Sequence, residues 1–506
     1  MIRIRRPLRT ACALAAAALA AAVAAPAQAA PADAGPAVRP GARTERVSVG
    51  PGHAQATGAS QADGLSADGR FAVFTSQAAD LVPGDTNGTS DVFVRDLWTG
   101  RTERVDTGPG GAQADGASYQ AAISGDGRYV AFGSTATNLA PGANRGSEDV
   151  YVHDRRTGET RLVSVGRTGV PQTGKLSGVP SISWDGRYVA YQSNRGDLAP
   201  GTVTWSGGNI YVTDRWTGDT RLVSIGADGR EADASSSAPE ISADGNTVVF
   251  ISKATNLLDP GQAGGLSPKV VAELRAGSDQ EFTADSSRPD SRPDARPDAL
   301  PDSRADLRPV ALPDPRAEIR KPRTYPLYAR DLRTGRTSLA SPDADGGYKG
   351  VVSPSISPDG RYAVYSSWVL HGDSQWDRHF EVYVRDLGRG TETLVSAGLP
   401  GTTTTLSSYG GRITADGRWV LFSSEAANLV PGDTNGAEDV FRHDLWTGRT
   451  ERVSLAGDGS QSTGPSHSPF PGAFGTTVVF TSADGTLVPG DTNGVEDVFL
   501  RRLPLF

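Results

Sequence analysis

The chain has 506 residues, 37% of them hydrophobic and 21% charged, with a net charge of −8. That is ample for a large packed body, and an acidic chain with no basic run interleaved with aromatics argues against nucleic acid as a partner. A single cysteine, Cys12, excludes a disulfide scaffold.

The N-terminus reads as an export signal over residues 1–29. Arg3, Arg5, Arg6 and Arg9 form a basic start, an alanine-rich apolar stretch follows, and Ala27-Gln28-Ala29 fits a small-x-small cleavage site. Arg5-Arg6 hints at twin-arginine export, but its flanks match poorly, which favours the general secretory route. Cleavage would remove Cys12 and those four arginines, leaving −12. No second apolar stretch is long enough to span a membrane. The expectation is a secreted, periplasmic or envelope monomer, with residues 30–42 as a disordered leader.

From Arg43 onward the chain is a repeat. Ser/Thr-x-Asp-Gly recurs at Ser66–Gly69, Ser124–Gly127, Ser183–Gly186, Ser242–Gly245, Ser357–Gly360 and Thr414–Gly417, with a worn copy at Ala473-Phe474-Gly475. A fixed period of this size marks a repeat architecture. Each unit reads as four strands, A to D. In the second unit, Ala122-Ile123-Ser124 leads into Asp126-Gly127, predicted as a hairpin turn with positive φ at both central residues. Tyr129-Val130-Ala131-Phe132 and Val150-Tyr151-Val152 follow as strands B and C, apolar on consecutive positions, as strands covered on both faces are. Thr160–Ser164 makes strand D after a Thr-Gly turn.

Seven C strands are legible, beginning at Val92, Val150, Ile210, Leu327, Val382, Val440 and Val498, but only six D strands follow them. The missing one lies at the other end of the chain, Thr44–Val49. The sequence therefore predicts an all-β, closed seven-bladed β-propeller over 43–506, with the N-terminal strand completing the last blade and removing the open edge. The Gly-to-Gly steps are 58, 59, 59, 115, 57 and 58. The long step is no eighth blade. Pro289, Pro293, Pro297, Pro301, Pro309 and Pro313 would break any strand or helix, so 261–323 is expected to be a low-complexity Pro/Asp/Arg insertion within blade four, with one short helix at Ser267–Gly277.

The run Ser-x-Asp-Gly-Arg-Tyr-Val-Ala-Phe followed by Val-Tyr-Val-x-Asp-x-x-Thr-Gly-x-Thr-Arg-Leu-Val resembles the propeller repeat of the TolB-like, or WD-repeat-like, family. The resemblance covers nearly all of Arg43–Phe506 outside the insertion. It implies an exported binding platform. With the expected export signal running almost directly into the closing strand, no counterpart of TolB's separate N-terminal α/β domain is expected, so TolB's partners are not carried over.

In such a propeller the A–B and C–D turns share one face and the B–C and D–A loops the other. The loop face carries nearly all the variation, and loops on a rigid scaffold carry binding. Three B–C loops share Pro-Gly-Asp-Thr-Asn-Gly-x-x-Asp, contributing Asp85, Asn87 and Asp91, Asp433, Asn435 and Asp439, and Asp491, Asn493 and Asp497. They belong to blades one, six and seven, contiguous in a closed ring, so they form one acidic arc. Such oxygens could hold calcium; equally, Asn-Gly is a good turn and Asp caps amides. The B–C loop of blade five holds His371, Asp373, Trp376, Asp377 and His379, a set able to bind a transition metal, do acid–base work or stack on a sugar or peptide. His153 and His443 alternate with Arg95 and Arg385 at one C-strand position, which reads as a surface position, and His53 and His467 show no visible partner. The D-strand arginines read as a charged outer edge, and Trp98, Trp216 and Trp446 as packing for the C–D turns.

With no catalytic signature present, the expected function is a non-catalytic scaffold that binds a protein or cell-surface polymer through the loop face. The alternatives are an extracytoplasmic hydrolase or lyase using the blade-five loop, and a calcium-dependent adhesin or lectin-like module on the arc.

Overall fold

The computed structural model describes residues 42–142, 147–167, 175–200, 207–258, 325–343, 349–370 and 378–504. The export signal, the leader, the insertion and its expected helix lie outside them. The described strands form seven four-stranded antiparallel sheets. Blade one comprises Ser60–Leu65, Phe71–Ser76, Asp91–Asp96 and Arg101–Arg104 as strands A to D. The remaining blades repeat it, and blade seven takes its D strand from the N-terminus. There Arg43–Arg46 pairs with Asp497–Arg502, with Arg46 opposite Phe499.

Each blade packs by the same device. An aromatic on strand B stacks on one on strand C, from Phe74–Phe93 at 5.7 Å to Tyr365–Tyr383 at 6.1 Å between centroids, in all seven sheets. Flanking Val, Ala and Leu residues fill seven cores, each shared by two neighbouring blades; Val73, Val94, Val130 and Phe132 belong to the one between blades one and two. Consecutive apolar positions on strands B and C are buried because each sheet has a neighbour on both faces.

The Asp-Gly turns form where expected, with a different geometry. Gly69, Gly127, Gly186, Gly245, Gly360 and Gly417 have positive φ, whereas no turn aspartate does among the described residues. The aspartate instead accepts from the serine and the following amide: Ser66 Oγ and the Arg70 N–H both donate to Asp68 Oδ1, at 2.6 and 3.0 Å. Only the last turn residue must be left-handed, which is why glycine is fixed there and the aspartate is a side-chain acceptor.

Two series of backbone hydrogen bonds link consecutive blades. On the turn face, Ala67 N–H donates to Gly125 O at 3.1 Å, Trp184 N–H to Ala243 O at 2.9 Å, and Ala473 N–H to Ala67 O at 2.9 Å, closing the circle. On the loop face, the first A-strand amide donates to the carbonyl just before the previous C strand, as Ser118 to Ser90 and Ser60 to Glu496, both at 2.8 Å. Among the described residues the turn-face series is interrupted at one place, between blades five and six. On the turn face Pro358 has no N–H to give.

The inner strands carry a β-bulge in every blade. In five of them a non-glycine residue at the bulge has positive φ: Gln120, Val179, Ala238, Ser353 and Ser468. Strain repeated at one register around the central channel is a property of the scaffold and not of a single site.

Candidate functional site

The nine residues of the acidic arc are brought together within each loop, and each set is occupied by an arginine. Arg104 reaches Asp85 at 3.4 Å and Asp91 at 3.9 Å. Arg452 reaches Asp433 at 3.2 Å and Asp439 at 3.6 Å. Arg46, on the closing strand, reaches Asp491 at 3.0 Å and Asp497 at 3.6 Å. The asparagine bridges the loop: Asn87 Nδ2 donates to Asp91 at 2.9 Å and to Ala114 O at 3.1 Å, and Asn435 and Asn493 repeat this pattern. Gln113 and Gln55, from the next D–A loop, donate to Asp85 and Asp491 at 2.8 and 2.7 Å. The charge a calcium ion would supply is thus already supplied by a guanidinium. Burial still raises Asp85, Asp433 and Asp497 above the usual carboxylate range, outweighing the arginine. These arginines correct the expectation of a charged outer edge, since their side chains are buried, and alternation along a four-residue strand could not show which face they take.

Blade one departs from its neighbours. In blades two, six and seven a serine two residues past the D strand donates to the C-strand aspartate: Ser164 to Asp149 at 2.8 Å, Ser454 to Asp439 at 2.6 Å, Ser48 to Asp497 at 2.6 Å. In blade one the residue is Asp106, fully buried, and carboxyl meets carboxyl. Two acceptors cannot bond without a proton. Burial, then the charge of Asp91, push Asp106 well above its ordinary value.

His371, Asp373, Trp376 and Asp377 lie outside the described residues. His379 is described. It sits on a C strand, Arg378–Asp386, which with its partner Tyr362–Leu370 runs to nine residues, where the other blades have five or six. The extra length projects from the loop face at the seam with blade six. There the Phe380 N–H donates to Ser407 Oγ at 3.2 Å and the Phe380 ring lies 5.3 Å from that of Tyr409. His379 is buried, its Nε2 3.5 Å from Glu381, to which Tyr383 Oη donates at 2.5 Å. Behind the hairpin, Gly411 is required: a Cβ there would lie 2.4 Å from Val364.

The other histidines are corrected or completed. His153 and His443 are buried rather than on the surface, because the D strand covers them and Thr160 and Thr450 bond their Nδ1 at 2.9 Å. Burial lowers both below the ordinary histidine value. His467 meets Glu496 at 3.1 Å, and His53 approaches Arg95 at 3.4 Å.

Two features escaped the sequence. In the channel, Glu240 and Arg412, from the inner strands of blades four and six, pair at 2.6 Å; Ser181 Oγ donates to Glu240 at 3.0 Å, and the Arg412 guanidinium lies 5.0 Å from the Phe470 ring. All four occupy one A-strand register, which is the only signal the sequence offered. On the inner strand of blade one Asp63, bonded by Thr75 at 2.5 Å, is pushed by burial to about 7. The other feature is on the turn face. Of the seven large apolar side chains exposed among the described residues, five are there: Trp98, Trp184, Trp216, Trp446 and Phe474. The apolar surface is therefore on the face that the sequence treats as monotonous.

No family model matches the chain, and no curated protein matches it. Solved structures do. It is similar to oligogalacturonate lyase from Vibrio parahaemolyticus, at 14% identity over 92% of this chain and 97% of that one, TM-score 0.46. It is similar to TolB from Acinetobacter baumannii, at 13% identity over 86% and 81%, TM-score 0.33. The propeller domain of the Trilobed protease from Pyrococcus furiosus matches at 10% identity over 72% and 79%, TM-score 0.39. Among the described residues no helix is long and apolar enough to cross a membrane.

Proposed function

We propose that the protein is an exported, non-catalytic scaffold that holds a protein or cell-surface polymer on its loop face, with the blade-five hairpin as the principal contact. The observation that carries this reading is the hairpin itself. Among the described residues it is the one place where strands B and C run well beyond the repeat, it stands at the seam where a turn-face inter-blade backbone bond lapses, and the segment holding His371 and Trp376 lies between its two strands in the sequence. Departures from a regular scaffold are where function is placed. The acidic arc supports the reading indirectly: its charges are spent on holding the loops, which leaves a rigid platform around the hairpin.

The test is a shortened hairpin, with residues 368–380 replaced by strands of the standard length and an Asn-Gly turn, beside a variant in which Asp85, Asp91, Asp433, Asp439, Asp491 and Asp497 are neutralised together with Arg46, Arg104 and Arg452. Affinity capture from envelope and secreted fractions should lose its partner with the first and keep it with the second. Undiminished capture by the shortened protein sinks the assigned surface.

A second reading, a hydrolase or lyase, is favoured by the Tyr383–Glu381–His379 chain at the root of the same hairpin. It requires stoichiometric metal in the purified protein or an activity that His379→Ala removes. Absence of both disposes of it.

A further inference from the structure

The tryptophans of the C–D turns are built as platforms. Trp98, Trp216 and Trp446 are 65, 65 and 71% exposed. Each rests one indole face on the arginine of the A–B turn: Arg70 at 4.8 Å, Arg187 at 4.5 Å, Arg418 at 4.9 Å. That arginine is pinned by Asp96, Asp214 or Asp444 at 2.6–2.7 Å. It also lies against a second ring, Phe71 at 4.6 Å, Tyr188 at 4.7 Å or Trp419 at 5.0 Å. The indole is the outer layer of a ring–guanidinium–ring stack, flat, held in place, and open on its far face.

The fold does not need these indoles. The same turn position is Arg156 in blade two, Arg333 in blade four and Gly388 in blade five, and the first and last of those blades keep the arginine–aspartate pair, Arg128–Asp154 at 2.6 Å and Arg361–Asp386 at 2.7 Å. Nor do they form a protein-binding patch. They stand in blades one, three and six, none adjacent, and the other two exposed rings of this face, Trp184 and Phe474, are on the A–B turns of blades three and seven, so the apolar side chains are spread around the ring, whereas a protein interface joins its apolar anchors into one dry core. A single, rigid, one-sided aromatic face in polar surroundings matches the apolar C–H face of a pyranose ring, whose hydroxyls stay in water. Pre-ordering the ring removes most of the entropic cost of that contact. Repetition on one face suits a polymer that reaches several platforms, since linked weak contacts multiply.

We propose that the turn face binds a polysaccharide, with pyranose rings stacked on Trp98, Trp216 and Trp446. This does not rest on the loop-face reading and involves the opposite side of the ring. The test measures retention of the exported protein on cellulose, chitin and alginate, which separates neutral from acidic chains. The variant is the triple Trp→Arg, whose replacement residue two other blades already carry at this turn; a triple Trp→Phe keeps the ring. Native protein should be retained on at least one polymer. Triple Trp→Arg should weaken that retention on the order of 100-fold, any single substitution only a few-fold, and Trp→Phe should keep most of it, with the melting temperature unchanged throughout. The shortened-hairpin variant should bind the polymer normally. Failure to bind any of the three polymers, equal binding by triple Trp→Arg, or loss on shortening the hairpin overturns the proposal.

Discussion

Blades one, six and seven differ from blades two to five in a set of residues that change together. The first three carry the Asp-Thr-Asn-Gly-x-x-Asp loop and an arginine at one D-strand position: Arg104, Arg452 and Arg46. The others have Leu162, Leu222, Leu339 and Leu394 there and lack the loop pattern. Blade two retains the C-strand Asp149 without the arginine, and takes its cation from the next blade, Arg195 at 3.6 Å. Blade three replaces the aspartate by Asn209, which accepts from Ser224 at 2.8 Å, and needs no cation. The comparison teaches that an acidic cluster in a sequence can be one half of a neutral unit. Its other half lies on a strand of the same blade, in blade seven at the opposite end of the chain.

The sharpest way to break the comparison is Arg452→Leu, which gives blade six the D strand of blade three while leaving its aspartates. Two buried carboxylates lose their cation, and the expected loss is about 3–5 kcal/mol. Adding Asp433→Ala, the residue of blade two at Ala143, and Asp439→Asn, the residue of blade three at Asn209, should recover most of it. Denaturant midpoints measure both; a triple variant no better than the single would mean that the arginine does something other than neutralise the pair.

Asp106→Ser gives blade one the serine of its neighbours and should stabilise the protein by ~1–3 kcal/mol at neutral pH, by removing a buried group without a proper partner. The pH dependence follows from the direction of the shift. Asp106 is raised on folding, so the folded chain binds its proton more tightly than the unfolded one. Its contribution is fully present below the ordinary aspartate value and is lost as pH rises toward the folded one. Melting curves should therefore show wild type losing more stability than Asp106→Ser on going from acid to neutral pH. Parallel pH profiles would contradict the raised Asp106 carboxyl.

Asn435→Ala removes three loop hydrogen bonds, two donated by Nδ2 and one accepted by Oδ1 from the Ala437 N–H, and should cost about 1–2 kcal/mol, with the matching change at Asn87 costing the same. Unequal costs would show that the three loops are not equivalent. Calcium or a chelator should leave the melting temperature unchanged, because a guanidinium already sits between the carboxylates; a calcium-dependent rise would return the arc to the cation reading. The smallest effect is expected from Trp98→Arg, within ~0.5 kcal/mol, as the turn in blade two is built with arginine.

Much of the fold was legible because its signals are local and repeated. The Asp-Gly turns, the paired aromatics of strands B and C, and a closing strand separated from its partners by the whole chain all follow from counting. The turn geometry was misread because Asp-Gly is shared by two turn types, and only the serine and aspartate side chains, each bonding backbone amides, decide between them. The buried His153 and His443 were misread for a related reason. A histidine and an arginine at one register suggest solvent, yet Arg95 is buried too, under the same D strand.

The sequence by itself determined the number of blades, the strand order and the closure of the ring, since each depends on a period of about 58 residues and on turn chemistry within a few positions. The tertiary structure alone decided where the charges and aromatics end up. Arg46 meets Asp491 and Glu240 meets Arg412 only after the ring has closed, and an indole is exposed or covered according to which neighbour the sheet brings over it. Those contacts join residues far apart in the chain, and a sequence pattern carries no distance across that gap.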